Sequence, residues 1–283
     1  MYYVVANIVL PLTQHAKLSY AELVGPTEAG WFVSHYWGTA FQHFVRSLRL
    51  HSDSRSAVDM QSYWVCSFSN NQWSIEEEVC GGWETTSFYL ALTGGVKGTV
   101  MVLDEQALPL TRAWCLFELL QTFILQKNHT DFQGLVMTTN SGVLNEGSAN
   151  ADTALVLAGR LSNLRLENAE ASVEKDRQMI FNLVRAQEGG FDGINALVKR
   201  HIRLALESVQ HYFEQKCRRL LCVLDTQAGV ELADKTLKSM SQASFTRSSS
   251  EALASPHPVL LGRRHAFSED VCSPRDNAEH LDV

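Results

Sequence analysis

Short apolar runs alternate along the chain with stretches in which apolar side chains return at helical spacing. The alternation predicts an α/β fold, a five-stranded parallel sheet covered by helices. The first strand is expected at residues 31–36 (WFVSHY). A helix follows on which Phe41, Phe44, Val45 and Leu48 share a face, with Thr39 and Gln42 at capping-box spacing. Residues 63–68 (YWVCSF) read as the second strand, followed by a polar loop and a helix over 85–92 that Gly94-Gly95 ends. Residues 99–103 (TVMVL) form a continuous apolar run closed by Asp104, the pattern of a central strand buried on both faces. Pro109 and Thr111 open the helix that carries WCLFELLQTF, and residues 134–138 (GLVMT) supply the fourth strand. Residues 151–166 leave room for a helix and a short fifth strand over 161–166. Helical patterns follow over 173–186, stopped by Gly189-Gly190, and at Ile194, Leu197, Val198, Ile202, Ala205 and Val209.

Four segments result: a lead-in at 1–30, an α/β domain at 31–211, a helical extension at 212–238 and a tail at 239–283. The tail holds nine serines with Pro256, Pro258 and Pro274 and little apolar periodicity, so it is expected to be disordered. Its run Arg247-Ser248-Ser249-Ser250 is a candidate phosphorylation site.

Composition narrows the class. Of 283 residues, 45% are hydrophobic and 19% charged, which excludes a wholly disordered or collagen-like chain. A net charge of -7 gives no reason to expect a nucleic-acid partner. The apolar stretch at 1–12 is too short to span a bilayer and lacks the basic flank and cleavage site of a signal peptide, so a cytoplasmic protein with no membrane partner is expected. Six cysteines occur with no C-x-x-C pair, which argues against a metal site and a disulfide framework.

Ligands of doubly wound sheets bind at the C-terminal ends of the strands. The residues leaving the strands here are Ser34-His35-Tyr36-Trp37-Gly38, the stretch from Ser67 through Asn71, Gln72 and Trp73, and Asp104-Glu105. Their hydrogen-bonding and aromatic groups suit a ligand with sugars and flat rings. The chain lacks both phosphate-binding glycine loops and the G-x-S-x-G of serine hydrolases. At about 100° per residue, Leu116, Leu119, Leu120 and Phe123 share one helix face and Trp114, Glu118 and Gln121 another. Periodicity alone therefore reads Glu118 as solvated, since glutamate is seldom buried unless paired. The competing structural roles are a packed strand histidine for His35, turn hydrogen bonds for Asn71 and Gln72, core packing for Trp37, Trp73 and Trp83, and a solvated acidic loop at Glu76-Glu77-Glu78.

The order FVSHYWG, W-[IV]-x-x-F-x-x-N-Q (Trp64 to Gln72), VMVLDE and L-T-R-x-W-C-x-x-E-L (Leu110 to Leu119) resembles the Toll/interleukin-receptor (TIR) domain superfamily. The resemblance runs from Trp31 to the helices near Val209. It departs from the family pattern at Cys66, where an aspartate is usual, and after Ser34, where His35-Tyr36-Trp37 replaces a region that often holds an arginine. It implies a flavodoxin-like sheet of order 2-1-3-4-5 and one of two functions. The first is hydrolysis of NAD, bound as substrate with no cofactor, with Glu118 catalytic and Ser34, His35, Trp37, Asn71, Gln72, Asp104 and Trp114 around the ligand. The second is an inactive signalling scaffold that assembles into homo-oligomers through TIR-like surfaces. A nucleoside-processing relative is a third reading.

Overall fold

The computed structural model describes residues 1–55, 61–79, 81–225 and 227–248. Its sheet is built from β1 (Trp31–His35), β2 (Tyr63–Trp64), β3 (Thr99–Val102), β4 (Leu135–Thr139) and β5 (Gly142–Val143), in the order β2-β1-β3-β4-β5. This is the flavodoxin-like order expected from the sequence. The first four strands are parallel and β5 pairs antiparallel with β4. The fifth strand is therefore a hairpin edge and does not lie in 161–166. There Leu161 ends a helix and Leu166 opens a 3-10 turn, so both reach the core without pairing, and the nearest parallel pairing is the isolated bridge Arg112↔Glu170. The second strand also stops early, because the chain turns into the short helix Cys66–Ser69.

Alternation along the strands sorts their side chains onto two faces. Phe32, Met101, Leu135 and Met137 join one core with the helix Ala113–Asn128. Val33 and Val102 pack instead with Met1, Val4, Val5, Val9 and Phe44. Val102 is fully buried, as a central strand requires. By the same parity Ser34 lies on the face of Phe32, whereas His35 lies on the opposite face, against Phe44 at a centroid distance of 4.9 Å.

Among the described residues there are seven longer helices: α1 (Phe41–Asp53), α2 (Ser87–Thr93), α3 (Ala113–Asn128), α4 (Ala151–Ser162), α5 (Glu174–Arg185), α6 (Gly190–Leu224) and α7 (Gln227–Ser248). The expected capping box of α1 does not form. Ala40 is its N-cap, without a side-chain bond, and Thr39 is engaged elsewhere. By contrast, α2 is capped by Thr86, whose hydroxyl accepts from the Tyr89 amide at 3.3 Å, and Gly94 closes it. Ahead of β1, residues 2–13 form a continuous helical stretch with a π-helical turn at Val5–Val9. Its Val4, Val5 and Val9 are buried.

The helix α3 is covered on all sides. It touches the sheet at β1 and β4, and α2 and α5 pack on it as well. Every residue from Cys115 to Phe123 is buried. A helix apolar around its circumference belongs in a core rather than on a surface, which overturns the solvated placement of Glu118.

Residues Met1–Glu214 form one compact unit, and a second begins at Gln215. Residues 239–248 continue α7, so the helix runs into the segment expected to be a disordered tail. The remainder of that tail, with Ser249 and Ser250, lies outside the described residues. Among the described residues no helix is long and apolar enough to cross a membrane.

Candidate functional site

The strand order reverses between β1 and β3, so the loops that leave those strands diverge from a topological switch point. Two bonds join the two loops. The Thr39 hydroxyl donates to Asp104 Oδ2 at 3.3 Å, and His43 Nε2 lies 3.0 Å from the Leu103 carbonyl. Asp104 Oδ1 also accepts from the amides of Gln106 and Leu108 at 3.1 and 3.0 Å. The carboxylate of Asp104 is thus committed to folding the loop after β3.

On the α3 face of the sheet, Ser34 meets the first turns of α3. Glu118 is only 4% exposed, and neither its Oε2 nor the Ser34 hydroxyl makes a hydrogen bond. Burial pushes the Glu118 carboxyl up to about 8. Ser34 and Cys115 lie close enough to favour the ionised form, but they offset only part of that cost. Cys115 donates its thiol to the His35 carbonyl at 3.6 Å. The Cys66 thiol accepts from the Trp37 indole at 3.3 Å, and burial pushes it up to about 12. Cys66 opens the turn that carries Ser67 and Asn70, where the Ser67 hydroxyl and Asn70 Nδ2 are also buried without a partner. One carboxylate oxygen, two hydroxyls and one amide nitrogen thus have no partner at hydrogen-bond distance near the C-terminal ends of β1 and β2, although Ser34 and Cys115 lie beside the carboxyl, and buried polar groups are normally satisfied.

The remaining sequence-predicted residues are placed differently. His35 faces away from Glu118. Burial, aided by the α-amino group of Met1, lowers its imidazole to about 4, so it is neutral. Trp37 is half-buried beneath the edge of Tyr2, with ring centroids 5.4 Å apart. Asn71 Nδ2 donates to the Lys17 carbonyl at 2.8 Å, while its Oδ1 accepts from the Trp73 amide at 3.0 Å. Gln72 Nε2 donates to the carbonyls of Cys66 and Asn70 at 3.0 and 3.2 Å. Trp73 donates to the Thr13 hydroxyl at 2.9 Å and lies under Lys17. Trp114 stacks on Phe88 with centroids 5.1 Å apart and donates to Asp176 Oδ2 at 3.3 Å. Trp83 packs against Tyr89 and Phe117.

The structure therefore groups Glu118 with Ser34, Cys66 and Cys115, with Trp37 at the margin. It holds Asn71, Gln72, Asp104 and Trp114 in bonds to the protein itself. Cys66 and Cys115 were not among the sequence-predicted site residues, although both lie inside the TIR-like motifs, Cys66 two residues after a strand end and Cys115 two after a helix start. Their burial makes a clear expectation. An aqueous thiol reagent should modify the exposed Cys222 and the half-exposed Cys217 rapidly, and Cys66 and Cys115 only on the timescale of opening or unfolding. Peptide mapping after timed labelling checks this, and prompt modification of Cys115 would contradict the closed packing.

No family model, curated protein or solved structure matches the chain.

Proposed function

We propose that the unit Met1–Glu214 is a TIR-like hydrolase of NAD in which Glu118 is the carboxylate that meets the ribose. The observation that carries this reading is the Glu118 carboxyl itself, buried at the C-terminal edge of β1 with its Oε2 and the neighbouring Ser34 hydroxyl both unbonded. A glutamate kept only for packing would be expected to have a partner, because an unsatisfied buried polar group costs about 1–3 kcal/mol.

The chemistry needs one carboxylate. Nicotinamide is a cation within NAD and departs as a neutral molecule when the C–N bond to ribose breaks, so no general acid has to protonate it. Water then adds to the ribosyl cation and loses a proton, leaving ADP-ribose. A carboxylate beside the sugar stabilises the positive charge as it develops. Ser34 holds the sugar by a hydrogen bond, and Trp37 supplies a ring surface. In the closed site Glu118 is protonated at neutral pH, and a pyridinium cation bound beside it favours ionisation. For the free enzyme, kcat/KM is therefore expected to rise with pH towards about 8.

The test is release of nicotinamide by concentrated protein incubated with NAD. Glu118→Gln, which keeps shape and removes charge, is expected to slow release by about 100-fold or more. Equal rates from the folded variant would remove Glu118 from the mechanism. The scaffold reading is favoured by one observation, the near-complete burial of Glu118 in a helix covered on all sides. It takes over if the wild-type protein assembles and yet releases no nicotinamide.

A further inference from the structure

A cleft opens beside the loop that follows β3. Its walls are residues 106–111 on one side, and the C-terminal half of α4 with the segment to Asn168 on the other. It is open to solvent and offers about 690 Å³, a size suited to a small organic ligand and far larger than a bare inorganic anion needs. In a chain of net charge -7, the lining includes Arg160 and Arg165 and no acidic residue.

Arg160 lies in the last turn of α4 and makes no ion pair among the described residues. Arg165 has one, to Glu167 at 3.5 Å, with its own side chain 60% exposed. Glu167 also accepts from Asn195 Nδ2 at 2.9 Å, so its carboxylate is shared and the Arg165 guanidinium keeps donors to spare. Leu110, Val156 and Leu164 give the cleft an apolar floor.

The backbone of this wall is strained as well. Ala107, itself part of the lining, adopts φ 55 and ψ 35, a left-handed conformation that a residue with a Cβ enters at a cost of roughly 1–2 kcal/mol. The Asp104 bonds to Gln106 and Leu108 hold it there. Strain of this kind persists where the surrounding structure enforces it, and it clusters at ligand sites.

We propose that this cleft binds a phosphate monoester, with the dianionic phosphate between Arg160 and Arg165 and the organic body on Leu110, Val156 and Leu164. Two guanidiniums match a dianion in charge, and each offers the planar pair of donors that phosphate oxygens accept. The apolar floor and the volume account for the remainder of the ligand. The assignment is independent of any activity at Glu118.

Titration with AMP tests it, read by calorimetry and by the amide resonances of Ala107 and Gly159, with adenosine and inorganic phosphate as controls. AMP is expected to bind and to shift both amides, more weakly as salt rises. Adenosine and inorganic phosphate are each expected to bind at least tenfold more weakly than AMP. Arg160→Gln combined with Arg165→Gln should weaken AMP at least tenfold while circular dichroism stays unchanged, since both side chains are exposed. Three results would overturn the proposal: no AMP binding at millimolar concentration, equal affinity in the double variant, or inorganic phosphate binding as well as AMP.

Discussion

Glu118→Gln is expected to stabilise the fold at pH 8 by about 4 kcal/mol relative to the wild-type protein, and to change little at pH 4. Burial raises the Glu118 carboxyl from 4.5 to about 8. Below 4.5 the group is protonated in both the folded and the unfolded chain, so it costs nothing. Between 4.5 and about 8 the unfolded chain ionises while the folded one keeps its proton. The unfolded state then binds fewer protons, and stability falls as pH rises. Glutamine has no proton to lose and escapes this slope. Its amide also has the Ser34 hydroxyl nearby as an acceptor.

The buried imidazoles of His35 and His51 act in the opposite direction. Both are lowered to about 4, chiefly by burial, so they stabilise the fold as pH rises from about 4 to 6.5 and withdraw that stability in acid. Comparing wild type with variant cancels these titrations and isolates Glu118. Urea midpoints measured from pH 4 to pH 8 provide the check. A difference that does not vary with pH would mean that Glu118 is not a buried neutral acid.

What the sequence reveals depends on the range of the interactions involved. Strands β1 and β3 are legible because burial on both faces writes short apolar runs, and Gly94 marks the end of α2 by local chemistry. The pair Gly142-Val143 is too short to carry a period, while Leu161 and Leu166 look like strand residues although they reach the core from a helix end and a 3-10 turn. The helical wheel fails at Glu118 because it assumes one dry face. Gln121 and Thr122, buried among leucines and phenylalanines, belong to a helix with no wet side.

The order of the motifs brings Ser34 and Glu118 to the same place. The partners that occupy Trp114 and Asn71 are not legible, since Asp176 and Lys17 lie 62 and 54 residues away in sequence. Such pairings are products of the tertiary fold and leave no local pattern.

Gly142→Ala is expected to cost about 3 kcal/mol or more, a large share of the 5–15 kcal/mol that holds an ordinary domain together. Gly142 ends the turn between β4 and β5 at φ +149, a backbone conformation that residues with a Cβ rarely adopt. A methyl group there would run into the Ser148 carbonyl and the Ala149 amide, both of which are backbone and unable to swing aside. Several bonds hold that backbone in place. The Val143 amide donates to Ser148 Oγ at 3.0 Å, the Ser148 amide donates to the Val143 carbonyl at 3.2 Å, and Thr139 Oγ1 donates to the Gly142 carbonyl at 3.2 Å. Relief would break this set and pull β5 from the edge of β4. The matched control is Gly159→Ala inside α4, where a Cβ meets nothing within 4 Å and helix propensity favours alanine. That change is expected to stabilise by about 0.5–1 kcal/mol. Urea midpoints of the two variants should therefore move in opposite directions from wild type, and an unchanged midpoint for Gly142→Ala would show that the hairpin yields.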